Sequence, residues 1–536
     1  MTILTLSRFR IRLAPLSALP LLLTMAAPAL AAGGACPTGN QTIDPSGNPI
    51  AIANVGVNGT LTGSITGCFY VSKSTGLDTN TGTDEMHPWA HLPGMPSCTG
   101  TCASTTPSAG LGFILRGGDT WVSSDLGVTW TWSGSTSHPI YVGVDQTWFN
   151  TSCGSSWCRP IFDAQSAVTS NMFYVGNDSW VIFDNIEAKG MTNVQNGFYE
   201  GGGSNVRATQ NYFHGWSHTG NTNNVGFFSQ CGAGSMSDHN VIDGSDSSKN
   251  TMNGVFGFCA GTIQYNYFNY VVSAILGSVD DVNNNLVENA VESIDGDHCN
   301  GIFTFGPQTG KTLYVYNNIT RKMQCDGGVN FWLVGNSGGC TGCTTYGYNN
   351  IIDASTASGN VFNIGGHPSD GDTGTYYVNN NTIIANNGGT CMGNGESPPR
   401  SITNFANNHC IGGSASCDGT GTTCNDKGTN LVQTLAQADA NVSPHFDQYT
   451  SSETYEYSPI APTNSTVQVG TNLTSSCSGA EAALCSSIAY PTYNSSNHTM
   501  GASTASARPS SGAWDIGAYQ YSPAPAPPTD LTAVVH

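Results

Sequence analysis

The sequence predicts an all-β protein built as a right-handed parallel β-helix, a solenoid with three parallel sheets and about nine or more rungs. A short asparagine-anchored unit repeats along the chain, the composition disfavours long helices, and cysteines are spaced for stacked rungs. Self-similarity at a period of about 20 to 50 residues is the signature of solenoids, because each unit buries its apolar face only against its neighbours.

Residues 1–31 are typical of a signal peptide. Arg8, Arg10 and Arg12 precede an apolar run, and small residues follow up to Ala31. We therefore expect an exported chain that is secreted or associated with the cell surface. No later stretch approaches the roughly 20 apolar residues that a transmembrane helix needs.

The chain divides by composition into further segments. We expect an N-terminal extension over 32–67, a first strand and N-terminal cap over 68–170, central rungs over 171–413, C-terminal rungs and a closing segment over 414–521, and a Pro-rich disordered tail over 522–536.

Charged residues make up only 9% of the chain while glycine reaches 66 residues, a balance that does not suit long helices. The formal net charge is −20. Nucleic acid is therefore excluded as a partner, because its binding requires a basic surface.

Each repeat contains an apolar-alternating stretch that ends in asparagine and is followed at once by another such stretch. Asparagine tolerates the left-handed backbone of a tight bend, and stacked asparagines can hydrogen-bond along a column. The predicted anchors recur at intervals of about 19 to 33 residues: Asn185, Asn211, Asn240, Asn266, Asn285, Asn318, Asn350, Asn381 and Asn408.

A second stretch, led by glycine or asparagine, supplies a third strand per rung and an aromatic column. Its members are Tyr199, Phe228, Phe256, Leu276, Phe303, Trp332 and Phe362. A one-residue change of register decides whether the column faces the core or presents rings, such as Phe303 and Trp332, to sugars. Exposing so long an apolar stripe is costly without a ligand, so the core register is favoured.

All 18 cysteines follow the predicted cleavage point, which favours disulfides. Close spacing predicts four bonds: Cys98–Cys102, Cys153–Cys158, Cys340–Cys343 and Cys477–Cys485. The third pair is also a CxxC motif, but no second CxxC or histidine pair accompanies it as a zinc site would require.

Cys231 and Cys259 each lie five residues after the glycine of their own repeat, Gly226 and Gly254. Strands in a sheet lie about 4.8 Å apart, and disulfides span Cα separations of about 4.4 to 6.8 Å. The spacing therefore predicts a bond between consecutive rungs.

Two segments outside the repeat resemble a broad group of bacterial right-handed β-helix proteins that includes pectate-lyase-like polysaccharide lyases. The first is FYVSKSTGLDTNTGTDEMHPWAHL with GFILRGGDTW after it, and the second is WDIGAYQY at 514–521. The latter looks like the closing segment of β-helix proteins with an anchoring module. The resemblance covers residues 68–521 and implies the fold and a polysaccharide partner, whereas activity varies widely on this frame.

β-Helix polygalacturonases use an Asp, an Asp-Asp pair, a Gly-His-Gly and an Arg-x-Lys. In this sequence only Asp280 and Asp281 superficially match one of these signatures, the Asp-Asp pair, and no Gly-His-Gly or Arg-x-Lys occurs. The calcium cluster of the pectate lyases cannot be aligned residue by residue.

β-Elimination of a uronate requires a cation, a base and a proton donor. The richest stretch for this chemistry is one turn and the rung after it. Its predicted catalytic residues are Asp295, Asp297, His298, Arg321 and Lys322, and its predicted Ca²⁺ ligands are Glu292, Asp295 and Asp297. The alternative is a solvated acidic loop whose charge Arg321 and Lys322 offset.

The position three residues after each anchor forms a polar column, a candidate groove with substrate contacts at His214, Asp243 and Glu288. Polar residues on an outer strand face are also the ordinary expectation.

Two functions therefore stay open. One is a secreted enzyme on polysaccharide, a calcium-assisted lyase or a hydrolase. The other is a non-catalytic surface or matrix protein that binds glycan or other proteins. The negative charge favours a neutral glycan, or an acidic one held through calcium.

Overall fold

The computed structural model describes residues 33–521, except for 38–41, 44–48, 51–63, 168–170, 193–195, 218–225, 230–231, 247–252, 259–260, 293–298, 306–310, 325–328, 334–341, 355–359, 366–372, 386–389, 395–399, 416–421, 444–457 and 460. The predicted signal peptide and Pro-rich tail lie outside the described residues. No helix in the described ranges is long and apolar enough to span a membrane.

The predicted fold class is confirmed, because three long parallel sheets share a stack of rungs. Sheet 1 contains Gly67–Val71, Leu111–Gly117, Ile140–Phe149, Val181–Asp184, Val206–Thr209, Ser235–Asp238, Gly261–Gln264, Asp281–Asn283, Thr312–Tyr316, Thr344–Tyr348, Thr375–Asn379, Arg400–Ala406 and Thr422–Asp426. Sheet 2 contains Thr120–Val122, Ile161–Asp163, Glu187–Lys189, Tyr212–His214, Val241–Asp243, Tyr267–Asn269, Leu286–Glu288, Ile319–Arg321, Ile351–Asp353, Thr382–Ile384, His409–Ile411 and Leu431–Gln433. Sheet 3 contains Val128–Thr129, Phe173–Tyr174, Phe198–Tyr199, Gly226–Ser229, Asn253–Phe258, Ser273–Ser278, Asn300–Phe305, Val329–Leu333, Asn360–Ile364, Thr390–Asn394 and Ser414–Ala415.

The remaining elements are short. The helices are Gly100–Ser104 and Leu435–Asn441, with 3₁₀ turns at Thr151–Cys153, Thr474–Ser476 and Gly479–Cys485. The antiparallel pairs are Thr42–Ile43 with Pro49–Ile50, Val442–Ser443 with Ser458–Pro459, and Pro491–Asn494 with Thr499–Ala502.

The core is one continuous apolar column inside the rungs, because successive strand residues point alternately inward and outward. In sheet 2 the middle residue of every three-residue strand before Leu431–Gln433 is buried, as Phe213, Ile242 and Phe268 are. Equivalent rings also stack between rungs, with Phe173 and Phe198 at 4.8 Å between centroids. The alternation in the sequence therefore determines which side chains reach the surface.

An asparagine ladder lines the corner between sheets 1 and 2. Asn285 illustrates one step: its backbone N and Nδ2 both donate to Asn318 Oδ1, each over 3.0 Å, and Nδ2 also donates to Ile263 O. The same bonding links Asn211, Asn240, Asn266, Asn285, Asn318, Asn350, Asn381, Asn408 and Asn430. Each step satisfies buried polar groups that the bend would otherwise leave unpaired.

The predicted role of the anchors needs two corrections. The left-handed residue of the bend precedes the ladder residue, as Asn317 precedes Asn318 with φ 57°. Asn185 occupies this left-handed position, with φ also 57°, and Ile186 stands at the ladder position above Asn211. Asparagine occurs at both the left-handed position and the ladder position, so the sequence around Asn185 looks like that of the other anchors. Its position in the bend nevertheless differs from theirs by one residue.

The C-terminal segment after Ser458 folds back along the outside of the rungs instead of extending the stack. Ile488, Met500 and Tyr519 pack on the outer apolar row of sheet 2, and Trp514 packs against Tyr348 and Ala406 of sheet 1. The closing segment predicted from WDIGAYQY is thus part of the packing of the solenoid.

Two buried arginines hold this segment in place. Arg508 donates to Asn349 Oδ1 and to the backbone oxygens of Ser486, Asp515, Gly517, Ala518 and Tyr519. Arg159 donates to Gln210 O on the rungs and to Asn497 O and His498 O on the C-terminal hairpin.

Three of the bonds that close spacing predicts are present, at Cys98–Cys102, Cys153–Cys158 and Cys477–Cys485. Two others were not predicted, Cys36–Cys68 and Cys391–Cys410. Cys343 is buried and disulfide-bonded, whereas its predicted partner Cys340 lies outside the described residues. Cys231 and Cys259 also lie outside them, so their bond stays a prediction.

Candidate functional site

The polar column exists in the predicted register on the outer face of sheet 2. It runs through Lys189, His214, Asp243, Asn269, Glu288 and Arg321, which are paired from rung to rung. Its two ends differ in accessibility. Glu288 and Arg321 are buried at 8% and 2% exposure, whereas Lys189 and His214 are half-buried.

Glu288 is the centre of a closed ion-pair network. Its Oε1 accepts from Arg321 Nε over 2.7 Å and lies 3.5 Å from Lys322 Nζ, while Oε2 accepts from Tyr267 OH over 2.7 Å. Burial alone would raise the pKa of Glu288, but the charges of Arg321 and Lys322 outweigh burial and lower it. With these partners the carboxylate stabilises the fold and is a poor candidate for proton transfer.

The next rungs of the column are also internally paired. Asp243 Oδ1 accepts from Asn269 Nδ2 over 2.9 Å, and Asn269 Oδ1 accepts from Asn289 Nδ2 over 2.8 Å. The C-terminal hairpin covers the neighbouring row, where Tyr493 stacks on Tyr267 with centroids 4.0 Å apart. The column is therefore not the open groove that the sequence predicted over these rungs.

His214 forms an accessible acid–base cluster at the other end. Its Nδ1 lies 2.7 Å from Asp246 Oδ2 and its Nε2 lies 3.1 Å from Glu187 Oε1. Lys189 Nζ lies 3.9 Å from the same Glu187 oxygen. Burial would lower the pKa of His214, but hydrogen bonds to the two carboxylates outweigh burial and raise it.

A stack of rings fixes the orientation of this imidazole. Tyr212 lies between His214 and His498, with centroids 4.1 Å and 3.9 Å away and ring planes nearly parallel. His498 belongs to the C-terminal hairpin. The hairpin therefore helps to position the cluster, which sequence patterns around His214 do not reveal.

The predicted catalytic turn is only partly described. Asp295, Asp297 and His298 lie outside the described residues, and Glu292 is exposed just before them. Within the described ranges, no group of three or more His, Cys, Asp or Glu side chains is arranged to hold a metal ion. The Ca²⁺ ligands Glu292, Asp295 and Asp297 thus stay a prediction.

The favoured core register of the aromatic column is wrong for Phe303 and Trp332. Ile302 and Phe331 occupy the core, and Phe303 and Trp332 face outward and are half-buried. The predicted column combined two faces, because the inward Phe228 pairs with Val255, one residue before Phe256. The ring follows the glycine by two residues in both repeats, but Gly226 pairs with Asn253 instead of Gly254. Counting from glycine therefore placed some residues one position out.

Outward side chains form a small apolar patch on sheet 3, here named the aromatic patch. It consists of Leu276 and the rings of Phe303, Phe305 and Trp332. Phe303 and Trp332 stack at 4.9 Å with planes 6° apart, and Phe305 stands at 81° to Phe303. Trp332 Nε1 donates to Gly365 O over 2.9 Å, which fixes the indole.

Two rows of hydroxyl side chains on the outer face of sheet 1 did not enter the sequence predictions. Thr312 and Tyr314 begin the rows, and equivalent residues follow on the next rungs. A usable signal was present, because Thr-x-Tyr stands six residues before the anchors Asn318, Asn350 and Asn381.

The three parallel sheets place the chain among parallel β-helix proteins. No protein-family model matches the chain, and no curated protein matches it.

Among solved structures, the chain is similar to pectate lyase Pel9A at 16% identity, with a TM-score of 0.44 and coverage of 85% of this chain and 96% of that one. It is similar to a rhamnogalacturonan lyase at 12% identity, with a TM-score of 0.43 and coverage of 78% and 97%. It is also similar to a GH136 lacto-N-biosidase from Eubacterium ramulus at 12% identity, with a TM-score of 0.42 and coverage of 68% of each chain. These likenesses concern the fold alone.

Proposed function

We propose that this chain is a secreted, extracellular protein that binds polysaccharide on the outer face of sheet 3. The observation that carries the proposal is the aromatic patch of Leu276, Phe303, Phe305 and Trp332, which faces out of the solenoid. Aromatic rings are suited to the apolar faces of sugars, and an outward apolar patch without a partner is unfavourable in water.

The geometry of the patch supports a rigid binding surface. The strands beneath it are locked in register, and the indole of Trp332 is held by its hydrogen bond to Gly365. Because Phe305 is nearly perpendicular to Phe303, ring planes face in two directions. A preordered surface loses little side-chain entropy when a ligand binds.

Affinity electrophoresis tests the proposal, since an acidic protein migrates readily through native gels. The gels contain polygalacturonate, rhamnogalacturonan, xylan, galactomannan or mixed-linkage glucan. We expect at least one polysaccharide to retard the protein and the double variant Phe303→Ala, Trp332→Ala to bind about tenfold more weakly or worse.

The matched control is Tyr174→Ala, which removes a 40% exposed ring on the same sheet five rungs away. It should migrate like the wild type. Absence of retardation in every gel, or equal retardation of the double variant, would contradict the proposal.

A second candidate function is cleavage of the bound polysaccharide, favoured by the His214 cluster. His214 can hold a proton between Glu187 and Asp246. A leaving oxygen that displaces the exposed Asp246 carboxylate from Nδ1 receives that proton, as from a general acid. Lys189 adds a positive charge near Glu187. For an acidic glycan, Ca²⁺ is the proposed cofactor, with Glu292 and the turn after it as its ligands.

Activity is measured on the same polysaccharides with CaCl₂ and, separately, with a chelator. New ultraviolet absorbance indicates elimination, and new reducing ends without absorbance indicate hydrolysis. We expect His214→Gln to lower the rate at least about 100-fold. His87→Gln serves as the control, because His87 is an exposed histidine whose side chain pairs with Asp84. A full rate in His214→Gln would contradict this site.

A further inference from the structure

The outer face of sheet 1 carries two parallel rows of hydroxyl side chains, here named the hydroxyl array. One row is Thr312, Thr344, Thr375 and Ser401, and the other is Tyr314, Tyr346 and Tyr377. Every member is half-buried and lies on the outward face, because the residues between them, such as Leu313 and Tyr376, are buried in the core.

The tyrosine row is rigid. Tyr314 and Tyr346 stack with centroids 5.1 Å apart and planes at 8°, and Tyr346 and Tyr377 stack at 4.6 Å and 15°. The rings therefore cover one another's faces. What the row offers a ligand is a line of ring edges and phenol hydroxyls, which donate and accept hydrogen bonds.

The spacing of the array is set by the solenoid itself. Equivalent hydroxyls repeat once per rung, about 4.8 Å, and the two rows lie about 7 Å apart because their residues are two positions apart on each strand. A fixed two-dimensional lattice of donors and acceptors suits a ligand whose own hydroxyls repeat at the same interval. An extended polysaccharide lying parallel to the solenoid axis has sugar units of similar length to one rung, so that hydroxyls of successive units meet donors and acceptors on successive rungs.

The charges beside the array argue for a neutral ligand. Carboxyls of Asp281 and Glu481 act on Tyr314 and Tyr346, and the cation acting on the neighbouring Asp280 is Lys311. Glu481, from the C-terminal segment, hydrogen-bonds Tyr346 and borders the row. Carboxylates accept hydrogen bonds from sugar hydroxyls but repel a polyuronate.

We infer that the hydroxyl array is a second glycan-binding face that takes an extended, neutral, β-linked polysaccharide of the cellulose or chitin type along the solenoid axis. The inference rests on the proposed function for its general ligand class. It concerns a different sheet and a different mode of recognition, in which hydrogen bonds replace stacking.

Retention of the full chain on microcrystalline cellulose and on chitin powder tests the inference. The triple variant Tyr314→Phe, Tyr346→Phe, Tyr377→Phe keeps the stacked rings and removes only the hydroxyls. We expect at least about tenfold weaker retention on the powder that binds the wild type. Tyr316→Phe is the control, because Tyr316 belongs to the next row, where its ring stacks on the buried Tyr348 at 4.9 Å.

Thr344→Val with Thr375→Val is a second variant that removes hydroxyls from the other row, and it should also weaken retention. Circular dichroism establishes that each variant folds. Equal retention of both variants and the wild type overturns the inference, as does wild-type protein that binds neither powder. Retardation in the soluble-polysaccharide gels decides the sheet 3 proposal separately, so the two failures are distinguishable.

Discussion

Glu288 and His214 show how neighbours decide what a titratable residue can do. Both stand in the polar column of sheet 2, yet Glu288 is enclosed by Arg321, Lys322 and Tyr267. His214 keeps solvent access between two carboxylates. We therefore assign structural stabilisation to the first and acid–base capacity to the second.

The raised pKa of His214 predicts a pH-dependent stability. A group whose pKa is higher in the folded state stabilises the fold fully below its unfolded value, 6.5, and loses that contribution as pH rises through the folded value. We expect the unfolding free energy of wild type minus that of His214→Gln to fall as pH rises above about 6.5. Urea unfolding followed by circular dichroism between about pH 6 and pH 9 measures this difference.

The lowered pKa of Glu187 acts at the opposite end of the scale. Burial would raise the pKa of Glu187, but the hydrogen bond with His214 and the charges of His214, Lys189 and Arg159 together lower it. Its contribution to stability is therefore present above the ordinary value and is lost as pH falls. If the unfolding free energy of wild type minus that of His214→Gln grew as pH rose above neutrality, this result would contradict the assignment to His214.

Among charged residues, we expect the substitution of Arg508 to lower the unfolding free energy most. Replacing it by Met removes the hydrogen bonds that it donates to buried carbonyl oxygens and to Asn349 Oδ1, which should cost roughly 3 kcal/mol or more. Limited proteolysis should then cut the segment after Ser458 first. Lys427→Met, at an exposed cation, should change neither the unfolding free energy nor the cleavage pattern.

At the scale of elements, the asparagine ladder links one rung to the next. Asn318→Leu keeps the volume but leaves Asn285 N without its acceptor and removes the Nδ2 hydrogen bonds to Val282 O and Asn350 Oδ1, so we expect a loss of roughly 3 kcal/mol in unfolding free energy.

The matched control for this element is the last rung of the ladder. Asn430 makes equivalent bonds but is half-exposed, so water can replace them and Asn430→Leu should cost only about 1 kcal/mol. Equal losses in the two variants, measured by chemical denaturation, would show that the ladder does not depend on burial.

The repeat made the elements predictable from the sequence, and its irregularities limited the detail. Alternation of apolar residues placed the strands, and the spacing from Asn211 to His214 set the register of the polar column. Asn185 was misplaced because asparagine serves both the left-handed position and the ladder. Counting from glycine merged inward Phe228 with outward Phe303, because strand lengths in sheet 3 differ.

Contacts between distant segments were not predictable. The hairpin that covers Tyr267 and the 3₁₀ turn that brings Glu481 to Tyr346 come from the non-repeating C-terminal part. Their sequence has no period to align with the rungs. The candidate site was therefore predicted as an open groove, whereas its centre is closed.

For the whole molecule, the C-terminal segment joins distant rungs into one body. Trp514 and Asp515 are fully buried, and Arg159 connects the early rungs to His498. The segment 514–521 thus packs against sheets 1 and 2. Cell-surface association stays a prediction, because this packing does not test it.

The net charge of −20 should make the binding of acidic polysaccharides depend on salt differently from the binding of neutral ones. Without calcium, repulsion should keep polygalacturonate weakly bound at low ionic strength, and salt should relieve that repulsion. Binding of a neutral glycan should hardly change with salt. Affinity electrophoresis at two salt concentrations measures both, and strong salt-sensitive binding of polygalacturonate without calcium would contradict a neutral ligand.

The central claim is that polysaccharide lies on the aromatic patch of sheet 3, and hydroxyl-radical footprinting with mass spectrometry tests it most directly. The full chain is labelled with and without whichever soluble polysaccharide retards it in the gels. The account predicts protection of Phe303, Phe305 and Trp332 with unchanged labelling of Tyr174, an exposed ring on the same sheet. Unchanged labelling of the three patch residues, with protection elsewhere, would contradict it.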